Sequence, residues 1–293
     1  QKGSKMAKKE TIQEDTKTTA LAVAAGSVLA PDFLGEEDFG GGFEGADKDS
    51  YAIPFLQILQ KMSPLVDEDG PKHIEGAKAG MIYNTVTQAL HDGKAGLTVV
   101  PCAYKRSFVE WAGREADGGF KGEFTPEQIA EMQQRGEIVM QDGKLFRPLA
   151  DGSINEKKSN YFADTRSHYV LTVNDATGET GQAILALSAS QVKASKMLMT
   201  SLQQKKVDTA RGKQTPPTFA NRVRLTTVGM SNEKGSWSGV RFDLDGLVTD
   251  AAIFAEAKAF YKAIAAGEVK VDFAKADQQS AGVSDEPKNA DDF

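Results

Sequence analysis

The sequence predicts a mainly β fold with added helices, an α+β body. Five strands close a small barrel, one helix lies between the third and fourth strands, and a second helix follows the fifth. Three observations predict it. Runs rich in β-branched, aromatic and other apolar residues occupy 97–111, 161–173, 182–187, 221–230 and 237–244, which is strand composition. Between the third and fourth runs, residues 188–206 carry apolar side chains at helical spacing. Clusters of Asn, Asp, Gly and Ser at 174–181 and 231–236 supply the turns of two hairpins.

Each element has a local reason. Phe55, Leu56, Leu59 and Met62 follow Pro54 at helical spacing, so a helix is expected over Tyr51–Met62. Met81–Thr87 reads as a short strand and Leu97–Trp111 as a long one. Residues 112–160 read as an insertion. Inside it, Thr125-Pro126-Glu127-Gln128 is a capping box with proline in the first turn, and Gly136 ends that helix. Glu137–Gln141 and Lys144–Pro148 form a hairpin about Asp142-Gly143. Strands Tyr161–Val173 and Gln182–Leu187 follow. Ser188, with Gln191 three residues on, caps a helix to about Lys206 that buries Val192, Met197, Met199 and Leu202 in part. Val207–Thr218 reads as a basic loop. Strands Asn221–Met230 and Trp237–Leu244 come next, and Thr249 caps a last helix to Ala266 with the stripe Ile253, Ala257, Phe260, Tyr261, Ile264. With 112–160 set aside, the order strand, strand, strand, helix, strand, strand is that of an elaborated OB-fold, a five-stranded Greek-key barrel.

Composition bounds the rest. The chain has 293 residues, 40% hydrophobic and 26% charged, as in an ordinary globular protein. One folded body is expected over 49–273, with disordered segments at 1–48 and 274–293. Residues 1–5, ahead of Met6, read as a leftover of expression. The apolar stretch Ala20–Ala30 is too short to span a membrane and is broken by Gly26. The single cysteine, Cys102, excludes an internal disulfide and a cysteine-based zinc site, and fits a reducing cytoplasm.

No residue pattern points to catalysis. His73, His91 and His168 are scattered and lack metal-ligand spacing. The glycine clusters lack the Lys-Ser/Thr of a phosphate loop, and no Gly-x-Ser-x-Gly elbow occurs. Asp243 and Asp245 read as solvated strand positions, and Cys102 as a small buried filler. No catalytic residue, metal or cofactor is expected.

Charge is distributed unevenly. Although the net charge is -6, residues 191–224 hold eight Lys/Arg and one acid, Asp208. This is the layout of a chain that grips a polyanion. Strand alternation places Val240, Phe242 and Leu244 in the core and turns Trp237, Gly239, Arg241 and Asp243 outward. The preceding strand turns Val223, Leu225 and Thr227 inward and Arg222 and Arg224 outward. Arginine neutralises phosphate and an exposed aromatic ring stacks a base. Packing of Trp237 against its own hairpin is the equal alternative. Lys193, Lys205, Lys206, Arg211 and Lys213 extend the basic surface. A second cluster holds Tyr104, Arg106 and Phe108 on one strand face, with Lys105 and Trp111 nearby and Arg166 on the neighbouring strand.

The run Asn221–Leu225, followed by Asn232–Leu244 with its Gly239-Val240-Arg241-Phe242-Asp243-Leu244, resembles the last hairpin of phage-encoded single-stranded DNA-binding proteins. The ending Asp291-Asp292-Phe293 is similar to their acidic, aromatic-ended tails, and Ile53–Pro64 with Gly76–Gly80 is similar to tailed-phage proteins. The resemblance implies an OB-fold accessory of phage DNA replication or recombination in the cytoplasm of an infected bacterium. It would coat single strands and recruit replication or recombination proteins through Asp285, Glu286, Asp291, Asp292 and Phe293. It would need no metal, cofactor or membrane, and a homodimer stays open. Two rivals remain: a phage structural or host-interaction protein with an acidic protein partner, and a nuclease or annealing protein.

Overall fold

The computed structural model of the chain describes residues 31–273, apart from 32, 34, 40, 47–49, 114, 117, 118, 234, 270 and 272. Of the expected disordered segments, 1–30 of 1–48 and all of 274–293, with the acidic tail Asp285 to Phe293, fall outside the described residues, while 31–46 holds a short 3-10 turn at Glu36–Asp38.

Three short strands, β1 (Leu56–Ile58), β2 (Ile82–Asn84) and β3 (Leu90–His91), make a small antiparallel sheet. Then come β4 (Leu97–Trp111), β5 (Phe120–Phe124), α1 (Pro126–Gln134), β6 (Val139–Gln141), β7 (Lys144–Phe146), β8 (Tyr161–Val173) and β9 (Thr180–Leu187). The chain continues through α2 (Val192–Gln204), β10 (Val207–Thr209), β11 (Gly212–Gln214), β12 (Asn221–Asn232), β13 (Gly235–Leu247) and α3 (Ala251–Ala265). The main sheet has eight strands along the path β13-β12-β4-β8-β7-β6, with β5 on β4 and β9 on β8. The mainly β, α+β class expected from the sequence is observed, and both long strands β4 and β8 have the expected limits.

Five strands and one helix build the interior. Neighbours run β13-β12-β4-β8-β9. Leu97 and Val99 of β4, Val170 of β8, Ala183, Leu185 and Leu187 of β9, Val223 and Leu225 of β12 and Val240 of β13 form one buried cluster. Leu198 and Leu202 of α2 join it, as do Leu56 of β1 and Ile82 of β2. These residues alternate along their strands, so the period of two sends one side chain in and the next out. The inward set is near-fully apolar because an unpaired polar group there would lose its water.

The barrel is not closed by pairing β9 with β13. Residues 54–60 span that gap instead. The Ile184 N–H donates to the Pro54 carbonyl at 2.8 Å, and Phe55 bridges Ile184 in parallel. At the far side the Ser238 N–H donates to Gln60 Oε1 at 2.8 Å, and Gln60 Nε2 donates to the Ser238 carbonyl at 3.0 Å. This corrects the helix expected over Tyr51–Met62. An extended segment buries Phe55 on one side, in the outer core, and Leu56 on the other, in the inner one, while Met62 is exposed. Two layers therefore claim adjacent residues, which a helix could not supply.

The outer face of β4, β8 and β9 is also covered. Ala257 and Phe260 of α3 pack with Val100, Cys102, Tyr169, Leu171 and Ile184. Burial pushes the Cys102 thiol up to about 12, so it is an inert filler here. The cap of α3 is Asp250, whose carboxylate accepts from the Ala252 and Ile253 N–H groups, and not Thr249. Ser188 likewise makes no side-chain cap; a short 3-10 turn over Ala189–Gln191 leads into α2.

Residues 112–160 are less of an excursion than expected. The α1 helix has its capping box: Thr125 Oγ1 accepts from the Gln128 N–H and Gln128 Oε1 accepts from the Thr125 N–H. Strand β5, which the sequence did not announce, extends the sheet on β4, and the β6–β7 hairpin pairs onto β8. Glu110, on β4, is buried and held by Arg147 through two hydrogen bonds of 2.8 and 3.1 Å. The loop before β4 touches the body at Gly93. A Cβ there would lie 1.9 Å from the Gly80 carbonyl oxygen, and Gly93 itself accepts from the Thr227 N–H at 2.8 Å. Only glycine admits that approach.

Candidate nucleic-acid interface

The two predicted cation surfaces have different electrostatics. On the β12–β13 hairpin, Arg224 stands opposite Asp243, Thr226 opposite Arg241 and Met230 opposite Trp237, so Arg224, Arg241 and Trp237 do share a face. That face is neutralised by its own carboxylates. Arg222 pairs with Asp175 at 2.7 Å and with Asp245 at 3.6 Å. Arg224 pairs with Asp175 at 3.0 Å and also donates to Thr98 Oγ1 and the Ala95 carbonyl. Arg241 is closed on Asp243 at 2.8 Å. Burial raises the Asp175 carboxyl, but hydrogen bonds from Thr98 and Arg222 and the charges of Arg222 and Arg224 outweigh it and hold it below the usual range. Asp175 lies in the turn after β8, so sequence spacing gave no sign of the pairing. Trp237 is half-buried, with its Nε1 shielded and unpartnered among the described residues. Leu244, expected in the core, is 39% exposed.

The second surface has fewer acids of its own. No acid occurs between Ala189 and Val207. Lys193 and Lys196 lie one helical step apart on the exposed side of α2, beside Met197, which is 61% exposed. Lys196, one of the eight cations of 191–224, joins the candidate site, and its i, i+3 spacing from Lys193 is the sequence signal for it. Lys193, in the first turn of α2, opposes the helix macrodipole. The expected basic loop 207–218 is in part a two-stranded ribbon, β10–β11, exposed from Asp208 to Thr215. Arg211 sits in its turn and Lys213 on its second strand, and neither makes an ion pair among the described residues. The ribbon is tied back to α2, since Thr215 Oγ1 donates to the Gln203 carbonyl at 3.1 Å and Lys206 bonds Thr215. Lys205 donates to the Gly246 carbonyl at 2.7 Å. Helix and ribbon are therefore joined at the C-terminal end of α2, through Gln203, Lys206 and Thr215.

The β4–β8 cluster lies at the mouth of the barrel. Tyr104 stands opposite His168 and Arg106 opposite Arg166. Both arginines close on one carboxylate, Asp164, each through two nitrogens, and Arg166 also donates to the Tyr104 hydroxyl at 3.0 Å. The cluster carries two cations against one acid. Phe108 packs with Phe124 and Ile129 in the α1 cluster and still lies under the Arg106 guanidinium, 5.4 Å from its ring centroid, whereas Trp111 faces the other side against Phe120 and does not join Tyr104. Lys105 also points to the other side and pairs with Glu123 at 2.9 Å. Across the mouth, the His168 ring lies 5.2 Å from Tyr104 and 6.0 Å from Phe242. His168 Nε2 is 2.7 Å from Ser195 Oγ of α2, which joins the mouth to the cationic helix.

Burial, with the charge of Arg166 added, pushes the His168 ring down to about 4. The unfolded chain takes up that proton near pH 6.5, about the ordinary histidine value. Stability from this group is thus complete above pH 6.5 and lost as pH falls toward 4, at up to about 1.4 kcal/mol per pH unit. Urea midpoints measured from neutral pH downward are expected to fall over that window. His168→Gln is expected to flatten the fall, and an unchanged slope would mean another group carries it.

Among the described residues no group of three or more His, Cys, Asp or Glu is arranged to hold a metal ion, and no helix is long and apolar enough to cross a membrane. No curated protein and no solved structure matches the chain. Residues 22–270 match the family described as Pam3 phage gp34-like protein, and over that share of its length the chain belongs to this phage protein family.

Proposed function

We propose that this phage protein binds single-stranded DNA without sequence preference, on an OB-fold-like barrel, in DNA replication or recombination. One observation carries the reading. In a chain of net charge -6, the α2 helix and the β10–β11 ribbon hold Lys193, Lys196, Lys205, Lys206, Arg211 and Lys213 together, with Asp208 as the only acid. An acidic protein that concentrates cations on one surface attracts a polyanion there and repels it elsewhere. The half-buried Tyr104 and Phe242 at the adjoining mouth offer rings for base stacking, each worth roughly 1–3 kcal/mol. The outer face of the second and third barrel strands, where OB-folds commonly bind oligonucleotides, lies under α3. The strand is therefore assigned a path over α2 and the ribbon, with Arg106 and Arg166 at its end. The tail residues Asp285, Glu286, Asp291, Asp292 and Phe293 keep the recruiting role that the resemblance implies.

The same cations would also suit the rival reading, an acidic protein partner in a virion or host complex. Fluorescence anisotropy with labelled oligo-dT, duplex DNA and oligo-rU separates the two. The reading expects oligo-dT to bind most tightly, with duplex at least about tenfold weaker, because stacking needs unpaired bases. No anisotropy change with oligo-dT at low salt would leave the acidic-partner reading standing and this one refuted.

A further inference from the structure

The free edge of β13 is divided in two. Strand β12 occupies one side of β13; on the other side the main-chain groups of alternate residues point away from the sheet. At Ser238 and Val240 these groups are already taken by glutamine amides. Gln60 binds both main-chain groups of Ser238, and Gln191 Oε1 accepts from the Val240 N–H at 2.9 Å. The next outward groups are the Val240 carbonyl and both main-chain groups of Phe242 and of Leu244. None has a partner among the described residues. After Leu244 the register shifts between Asn221 and Val223 of β12, and Lys205 holds the Gly246 carbonyl. The open stretch is therefore short and bounded, and the charges it carries, Arg241 and Asp243, are of opposite sign.

We propose that this stretch pairs with the same stretch of a second copy, antiparallel about a two-fold axis at Phe242. The sequence Val240-Arg241-Phe242-Asp243-Leu244 is chemically self-complementary in that register. Phe242 meets Phe242, Val240 meets Leu244, and Arg241 meets Asp243 in both directions. Each Phe242 N–H reaches the other Phe242 carbonyl, and each Leu244 N–H reaches the other Val240 carbonyl. The Val240 N–H that Gln191 holds is not needed. Arg241 and Asp243 fall at the closer, non-hydrogen-bonded pair positions, where opposite charges help and like charges hurt. Inside one copy these two side chains bond each other at 2.8 Å, so the exchange across the axis replaces one ion pair by an equivalent one.

Exposed apolar groups cluster along the same edge. Leu244 is 39% exposed and Met197 61%. A shallow groove beside it is lined by Ala194, Met197, Leu198 and Ser201 of α2 with Val240, Arg241 and Phe242 of β13. The second copy covers Leu244 and Met197. A two-fold contact of this kind closes on itself and does not grow into a fibre. It also brings two α2 helices to one side of the dimer. The inference stands on the edge geometry and does not rest on nucleic-acid binding.

Sedimentation velocity or light scattering on the full chain tests it, with charge variants at the two exposed positions. The wild-type chain is expected to run at twice its mass of 31.5 kDa. Arg241→Asp sets acid against acid across the axis and is expected to weaken the dimer at least about tenfold. Arg241→Asp combined with Asp243→Arg restores the opposite charges and is expected to restore the dimer. Circular dichroism should be unchanged in both variants, since both positions are on the surface. A wild-type monomer at tens of micromolar overturns the proposal. So does a dimer that Arg241→Asp leaves intact, or one that the double variant fails to recover.

Discussion

Reversing Lys196, Arg211 and Lys213 to glutamate is expected to weaken oligo-dT binding roughly 100-fold or more at low salt. Each replacement removes a phosphate contact and adds a repulsive charge, and about 1.4 kcal/mol of loss is a factor of ten. The fold should survive. Arg211 and Lys213 lie on an exposed ribbon without ion pairs among the described residues, and Lys196 is exposed on α2. Such surface positions usually change stability by less than about 0.5 kcal/mol. The contrast is with Arg222→Ala and Arg224→Ala. Those arginines are engaged by Asp175. Their loss is expected to lower the thermal midpoint while changing binding less than about threefold. Equal losses of affinity in both sets would move the interface back to the β12–β13 hairpin.

Leu225→Ala is expected to cost about 2–5 kcal/mol of unfolding free energy. Leu225 has no exposed surface; it stands opposite Phe242 on β13 and Leu97 on β4 and belongs to the cluster shared by five strands and α2. A cavity there touches most of the barrel, so neighbours cannot all collapse into it. Total stabilities are commonly about 5–15 kcal/mol, so the variant should melt far earlier. Leu247→Ala on the neighbouring strand is the control. With 37% of its surface exposed, it should cost less than about 1 kcal/mol. Urea titrations that gave both variants the same loss would place the core elsewhere.

What local sequence encodes and what it does not can be traced to particular residues. The limits of β4 and β8 were legible because Val, Tyr, Phe and Thr recur through each run between turn-forming clusters. The α1 cap was legible because Thr125, Pro126 and Gln128 act on one another. Residues 54–60 misled because Phe55, Leu56 and Leu59 satisfy a helical spacing as well as a two-sided burial. The deciding bonds come from Ile184 and Ser238, far along the chain. Arg222 and Arg224 were placed on the right strand face, yet their charge is cancelled by Asp175, 47 and 49 residues away. Alternation can tell which side a residue faces but not which carboxylate a distant turn brings to it. The cationic run 193–213 was legible as charge, while its division into an exposed helix face and a ribbon needed the fold.

The salt dependence of oligo-dT affinity tests the central claim most directly. Each phosphate neutralised on a single strand contributes a slope of about -0.7 in log K against log salt. Contacts from at least Lys196, Arg211 and Lys213 predict a slope of about -2 or steeper for the wild-type chain, falling toward zero when these three are replaced. A wild-type slope shallower than about -0.7, or one that the triple replacement leaves unchanged, would contradict a phosphate-gripping surface on α2 and the ribbon.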